Sequence, residues 1–343
     1  MKNSLPIVVS LEVHCCIKGQ EKMVNIMKEE WKDALIEFPI LKQEMLPTIS
    51  ELSNRILVKV KSDGSLDGLH GQENTEQHEK DIHDSSSDND LHDEGVKEME
   101  KKMQHTQISP KPPQSSKMDE ALSKLGVYFS IHPFKNFDIL PKYNVVYNLS
   151  ENVMPRLPQA RKHTSKHMLR IYPHGLRVNS SNCDPLIFWR YGAQIVSLNW
   201  QTFDLGMQMN GALFAGSKGY VVKPPMLKEG NMSMTRSDTR RILIFDLISA
   251  QGLPKEKHSL YGKIDVFTSE RGKLRMKERT KSVKSSSGDV VWNQNLAFSV
   301  QDEELIFLRF RVYVENFGED TLLGVRCVRL SYLKKGKYTS MLV

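Results

Sequence analysis

The chain of 343 residues, 26% charged and 39% hydrophobic, has the length of about two globular domains, and its 20 glycines and 15 prolines are ordinary counts. This excludes a small single-core scaffold, a collagen-like repeat and a wholly disordered chain. No run of about 18 apolar residues occurs, the Pro6 to Val9 run is too short for a signal peptide, and Cys15, Cys16, Cys183 and Cys327 lack CxxC spacing, so the expectation is a cytosolic chain with reduced thiols and no membrane span.

Leu5 to Leu11 is a continuous apolar run of the kind shown by a strand buried on both faces, and it stops at Glu12. Lys22 to Leu35 then places Met23, Ile26, Met27, Trp31, Ala34 and Leu35 at helical spacing. Arg55 to Lys61 reads as a second strand, ending in Lys59 and Lys61. From Ser62 to His105 thirteen acidic residues face four lysines, a local charge of −9 in a chain whose net charge is +7. This stretch has almost no large apolar residues, cannot offset its ordering entropy by burial, and is predicted to be a disordered linker closed by Pro110-Lys111-Pro112-Pro113. Its five histidines read as solvated low-complexity sequence rather than metal ligands, because no ligand spacing recurs.

Strand-like sequence resumes at Asn144 to Ser150, His167 to Pro173 and Gln194 to Asn199, with helical Pro185 to Tyr191 before the last. Five strand candidates alternating with helical segments predict a parallel α/β sheet of the (β/α) barrel type, with charged groups at strand ends where such barrels carry function. After Pro224-Pro225 the pattern becomes all-β: Arg241 to Ala250, Ile264 to Thr268, Trp292 to Val300 and Leu305 to Val314 read as the strands of a sandwich.

Residues two apart on a strand share a face, which pairs Glu12 with His14, Lys59 with Lys61, and Arg170 with Tyr172. Lysine as a point charge, arginine as a bidentate fork and tyrosine as a flat surface with a hydroxyl suit a polyanion. One acid among several bases suggests a metal-assisted phosphate ester site. Structural readings stand beside these: Glu12 paired with a lysine, Lys59 and Lys61 on an exposed strand edge, Arg170 as a scaffold residue, and His14 as a core histidine donating to backbone. Lys and Arg are scattered, without zinc-finger spacing or an aromatic-rich RNP-like run, so a nucleic-acid partner is excluded and an anionic small ligand or lipid surface preferred.

Pro6-Ile7-Val8-Val9-Ser10-Leu11-Glu12-Val13-His14-Cys15 resembles the end of the X region of eukaryotic phosphoinositide-specific phospholipase C. Leu169-Arg170-Ile171-Tyr172-Pro173-His174-Gly175-Leu176-Arg177, Ser180-Ser181-Asn182, Gln194 to Thr202 and Gly219-Tyr220-Val221-Val222-Lys223-Pro224 resemble its Y region closely. The strand Ile242 to Ser249 followed by Gly252-Leu253-Pro254, Val291-Trp292-Asn293, and Thr321-Leu322-Leu323-Gly324 resemble a C2 domain. The resemblance implies a partial TIM-type (β/α) barrel, strands four to eight, followed by a C2-type sandwich. Its implied parts are the end of the X region at 1–61, an acidic X/Y linker at 62–116, the Y region at 117–229 and a C2 domain without its last strand at 230–343.

That family hydrolyses phosphatidylinositol 4,5-bisphosphate to inositol 1,4,5-trisphosphate and diacylglycerol in signalling, with calcium as cofactor and a histidine pair at the reacting phosphate. By motif position Glu12 matches a calcium ligand, while Lys59, Lys61, Arg170 and Tyr172 match residues that grip the ring phosphates. The family's pocket serine falls at Asn148, because Leu149-Ser150-Glu151 matches the rest of its motif. No histidine here occupies either catalytic motif, so no catalytic residue is assigned. The expectation is a truncated product or incomplete gene model, with Met1 internal to a longer enzyme and the chain inactive by itself. The implied partners are a phosphoinositide head group and a membrane surface, at which a cytoplasmic protein would be peripheral; no activating protein is specified. A non-catalytic phosphoinositide or membrane-binding module is the alternative. In the C2 part, Leu260-Tyr261-Gly262 stands near the first calcium loop, and Glu315 to Asp320 lacks the paired aspartates of the second, so calcium binding there is not expected.

Overall fold

The computed structural model describes residues 4–41, 45–62, 117–137, 141–153, 159–228, 239–255, 258–268, 275–301 and 304–336. Residues 63–116 of the expected acidic linker lie outside the described residues. The chain divides into two compact units, Pro6–Ile40 with Asn54–Ile131, and Met1–Leu5 and Leu41–Ser53 with His132–Val343.

The first unit is a β/α ladder. Strand β1 (Ile7–Ser10) is followed by helix α1 (Ile17–Trp31), β2 (Ile56–Lys61), α2 (Glu120–Lys124) and β3 (Phe129–His132). Strand β2 lies between β1 and β3, parallel to both, with Lys59 opposite Ser10 on one side and Phe129 on the other. Helix α1 buries Gln20, Val24 and Met27, a spacing that places them on one face. Its two apolar members meet Leu35, Val58, Val60, Leu122 and Leu125 in one core. Gln20 is fully buried but satisfied: its amide donates to Cys15 O (3.0 Å) and Lys117 O (3.2 Å) and accepts from Asp119 N (2.8 Å). Asp119 in turn caps α2 by accepting from Leu122 N at 3.0 Å.

Three expectations change here. Helix α1 begins five residues before Lys22 and ends at Trp31, where Lys32 turns away at φ 44°. Strand β1 is not buried on both faces, since Ile7 is 48% exposed and β2 is its ladder partner among the described residues. Strand β3, Phe129-Ser130-Ile131-His132, is a further strand beyond the five read from the sequence; its single short apolar-polar alternation gives little periodicity to detect.

The second unit opens with β4 (Val145–Ser150), α3 (Ala160–Thr164), β5 (Met168–Tyr172), α4 (Pro185–Arg190), β6 (Ile195–Val196) and α5 (Leu205–Leu213). Strands β4, β5 and β6 pair in parallel. Asp184 and Asp204 cap α4 and α5, accepting from Leu186 N (2.9 Å) and Met207 N (3.2 Å). Each unit thus carries three parallel strands in β/α order, the pattern that the sequence predicts for a partial (β/α) barrel.

The remaining strands form the sandwich: β7 (Arg240–Ala250), β8 (His258–Phe267), β9 (Arg275–Arg279), β10 (Val283–Ser285), β11 (Val290–Gln301), β12 (Phe307–Val314) and β13 (Thr321–Arg329). Strands β7 and β11 pair antiparallel, and β8 carries β9, β10 and β12 on its edges, with β13 beyond β12. Ile264, Val266, Leu296, Phe298, Ile306 and Leu308 fill the space between the two sheets. The opposite face of β8 and β12 sends Phe267 and Phe307 against Leu186, Trp189, Met209 and Leu213 of the parallel part, so that α4 and α5 share a core with the sandwich. Leu260-Tyr261-Gly262, expected near a calcium loop, lies within β8 instead. No helix among the described residues is long and apolar enough to cross a membrane.

Candidate functional site

In the second unit, Val145, Tyr147, Leu149, Leu169 and Ile171 share one apolar core. Alternation therefore sends Asn148 and Ser150 of β4, and Arg170 and Tyr172 of β5, to the opposite face. The parallel register sets Asn148 beside Arg170 and Ser150 beside Tyr172. Arg170 lies over the Tyr172 ring, its guanidinium carbon 5.8 Å from the centroid. Asn148 Oδ1 and Ser150 Oγ are buried without a hydrogen-bond partner among the described residues. Unsatisfied buried polar atoms are costly, and here they stand beside a cation. The structure thus brings Asn148, Arg170 and Tyr172 together.

In the first unit, Lys59 and Lys61 share a face of β2, Lys59 buried at 2% exposure and Lys61 exposed. The exposed-edge reading of this pair fails for Lys59, because β2 is flanked on both sides. Glu12 follows β1 by two residues and is exposed, its Oε1 3.2 Å from His14 Nε2. His14 is therefore not the core histidine expected: its side chain is 71% exposed and its contact is Glu12, both beyond the end of β1 at Ser10, so the pair does not arise from strand alternation.

Calcium takes about six to eight oxygen ligands. Among the described residues no three His, Cys, Asp or Glu gather where they could share a metal ion. Glu12 alone does not make such a site, so the described residues do not fit a complete calcium centre. In the sandwich, Asp320 accepts from Tyr261 Oη (2.7 Å) and Asn316 N (3.1 Å), and Glu315 from Arg279 Nη2 (3.2 Å), which commits two of the three carboxylates of that loop to protein donors.

In the sequence Glu151 and Arg177 stand only as letters of the Leu149-Ser150-Glu151 and Leu169 to Arg177 motifs. Glu151 lies at 7% exposure and takes Arg177 in a bidentate pair, Nε to Oε1 at 2.5 Å and Nη2 to Oε2 at 2.7 Å. Burial by itself would raise the Glu151 carboxyl, but hydrogen bonds from Arg177 and the His174 amide outweigh it and hold the group below the usual carboxylate range.

Behind β4, Tyr147 stacks on His163 (5.1 Å, 21°) and His163 on His167 (5.0 Å, 28°). Burial first, then the neighbouring His167, pushes His163 down to about 4. Lys223 is also pushed down, to about 8, by burial, and donates to Thr164 O.

Residues 1–62 match the phosphatidylinositol-specific phospholipase C X domain, 122–226 its Y domain and 241–341 a C2 domain. The chain is 31% identical to 1-phosphatidylinositol 4,5-bisphosphate phosphodiesterase zeta-1 of Homo sapiens, over 98% of this chain and 57% of that protein. It is 29% identical to 1-phosphatidylinositol 4,5-bisphosphate phosphodiesterase 1 of Candida albicans, over 96% of this chain and 36% of the other. The chain thus spans 36% and 57% of these two relatives. The crystal structure of PLC21 from L. pealei superposes with a TM-score of 0.70 at 24% identity, covering 96% of this chain and 41% of that one, a likeness of fold.

Proposed function

We propose that this chain, which belongs to the phosphoinositide-specific phospholipase C family, supplies the head-group grip of an enzyme that hydrolyses phosphatidylinositol 4,5-bisphosphate to inositol 1,4,5-trisphosphate and diacylglycerol. The observation that carries the reading is the set of donors on one face of β4 and β5: Arg170 beside Asn148 and over Tyr172, next to buried oxygens that have no partner among the described residues. Arg170 offers a planar fork to phosphate oxygens, the Asn148 amide donates to a ring substituent, and Tyr172 presents its ring edge and hydroxyl. In the other unit, Lys59 and Lys61 of β2 are assigned to the ring phosphates, and Glu12 to calcium, by the family resemblance alone. The C2-type sandwich and the family's lipid substrate support peripheral association with membranes.

The test is calorimetric titration of the 343-residue chain with inositol 1,4,5-trisphosphate, alongside turnover of phosphatidylinositol 4,5-bisphosphate vesicles with calcium or chelator. Arg170→Ala removes charge-assisted hydrogen bonds worth about 1.5–3 kcal/mol, so affinity should fall about 10- to 150-fold. Arg170→Lys should recover part of it. Binding that is unaffected by Arg170→Ala would refute the assignment. Binding without turnover is the result expected of this chain, in which no histidine occupies either catalytic motif; calcium-dependent turnover by the chain alone would overturn that expectation.

A further inference from the structure

Glu151 is the first residue after β4, and its hydrogen bonds run to the segment that follows β5. Its N–H donates to Tyr172 O (3.0 Å), extending the ladder one residue past the strand end. Its carboxylate accepts from His174 N (2.7 Å) as well as from both arms of Arg177. Arg177 Nη1 donates onward to Ser181 Oγ (3.0 Å), and Ser181 O accepts from Asn199 Nδ2 (3.1 Å). The segment between Tyr172 and α4 contains no helix or strand, and its own backbone bonds are short turns such as Arg177 N to His174 O (3.1 Å) and Ser180 N to Arg177 O (2.9 Å). Glu151 therefore holds this irregular segment at Tyr172 through its backbone N–H and at His174 and Arg177 through its buried carboxylate.

A buried ion pair contributes little net stability relative to apolar packing, because both charges lose hydration. What it contributes is geometry: a bidentate fork has one in-plane arrangement and transmits it to whatever it joins. Here it joins the end of β4, which bears Asn148 and Ser150, to the segment leaving Tyr172.

We propose that Glu151 is the positioning residue of this site: through Arg177 and the His174 amide its carboxylate fixes the 173–181 segment, and with it the Arg170 to Tyr172 end of β5, in the geometry that receives a phosphate-bearing ligand. The inference rests on the phosphoinositide reading above and adds a residue that does not itself touch the ligand.

The test uses the full chain with Glu151→Gln, Arg177→Gln and the double variant, measuring inositol 1,4,5-trisphosphate affinity below the unfolding onset of each protein, and amide hydrogen exchange across 172–181. Glu151→Gln should weaken binding about tenfold or more, because ordering the segment then falls on the binding step, and should speed exchange at 174–181. The double variant removes the orphaned guanidinium and should regain thermal stability without regaining affinity. Affinity that returns with stability would reduce the pair to scaffold and overturn the proposal, as would unchanged affinity and exchange in Glu151→Gln. If Glu151→Gln does not fold, Arg177→Lys, which keeps the charge but loses the fork, is read by the same two criteria. If the unaltered chain takes up no inositol trisphosphate, the head-group reading falls, and the exchange comparison alone decides whether Glu151 fixes the segment.

Discussion

Phe307 and Leu308 are adjacent on β12 and both fully buried at 0% exposure, but they face opposite ways. Leu308 lies between the two sheets of the sandwich, whereas Phe307 lies against Trp189, ring centroids 5.8 Å apart and planes at 32°, in the core shared with Met209 and Leu213. Tyr332 Oη donates to Leu213 O (2.9 Å) and Arg190 Nη2 to Leu305 O (3.3 Å) around the same core. Phe307→Ala should therefore cost about 3–5 kcal/mol, of which about 0.5–1.5 comes from the ring pair with Trp189. In a unit of this size about 1 kcal/mol moves the melting midpoint by about 2–4 °C, so the midpoint should fall by about 6–20 °C. Urea unfolding followed by both tryptophan fluorescence and far-ultraviolet circular dichroism measures the loss. Leu308→Ala, costing about 2–5 kcal/mol, should leave the native near-ultraviolet signal of Trp189 in place, while Phe307→Ala alters it. A loss below about 1 kcal/mol for Phe307→Ala would mean that the sandwich and the parallel part do not share a core.

Asp265 is fully buried and accepts from Arg311 Nη2 (2.6 Å) and Arg309 Nε (3.2 Å), so Asp265→Asn leaves two largely buried guanidinium groups undercompensated and should cost about 3–5 kcal/mol by denaturant titration; a cost under about 1 kcal/mol would refute the buried network. His163 has its folded value pushed down to about 4, below that of the unfolded chain at about 6.5, so the unfolded state binds the proton first. The stability this neutral histidine contributes is complete above about pH 6.5 and is lost as pH falls toward 4, by about 3 kcal/mol. His163→Gln should remove that component, so a stability difference between variant and unaltered chain that stays constant from pH 7 to 4 would refute it.

Alternation along short apolar runs was enough to read the strands that bear Lys59, Lys61, Asn148, Arg170 and Tyr172, because which face a side chain takes is a local property of extended backbone. The change from β/α order to an all-β pattern after Pro224 was legible for the same reason. The ladder decided what alternation cannot express. Lys59 is buried because β2 acquires neighbours on both sides, one of them β3, whose four residues carry too weak a pattern to announce themselves. Glu151 meets Arg177 across 26 residues only because β4 and β5 align Ser150 with Tyr172, which brings the two strand ends level. Asp265 meets Arg309 and Arg311 because β8 and β12 run antiparallel in one register. A charged residue in a sequence shows what it can bind, but its partner is set by the pairing of strands far apart in the chain, and that pairing is fixed by burial of the apolar faces rather than by the charges themselves.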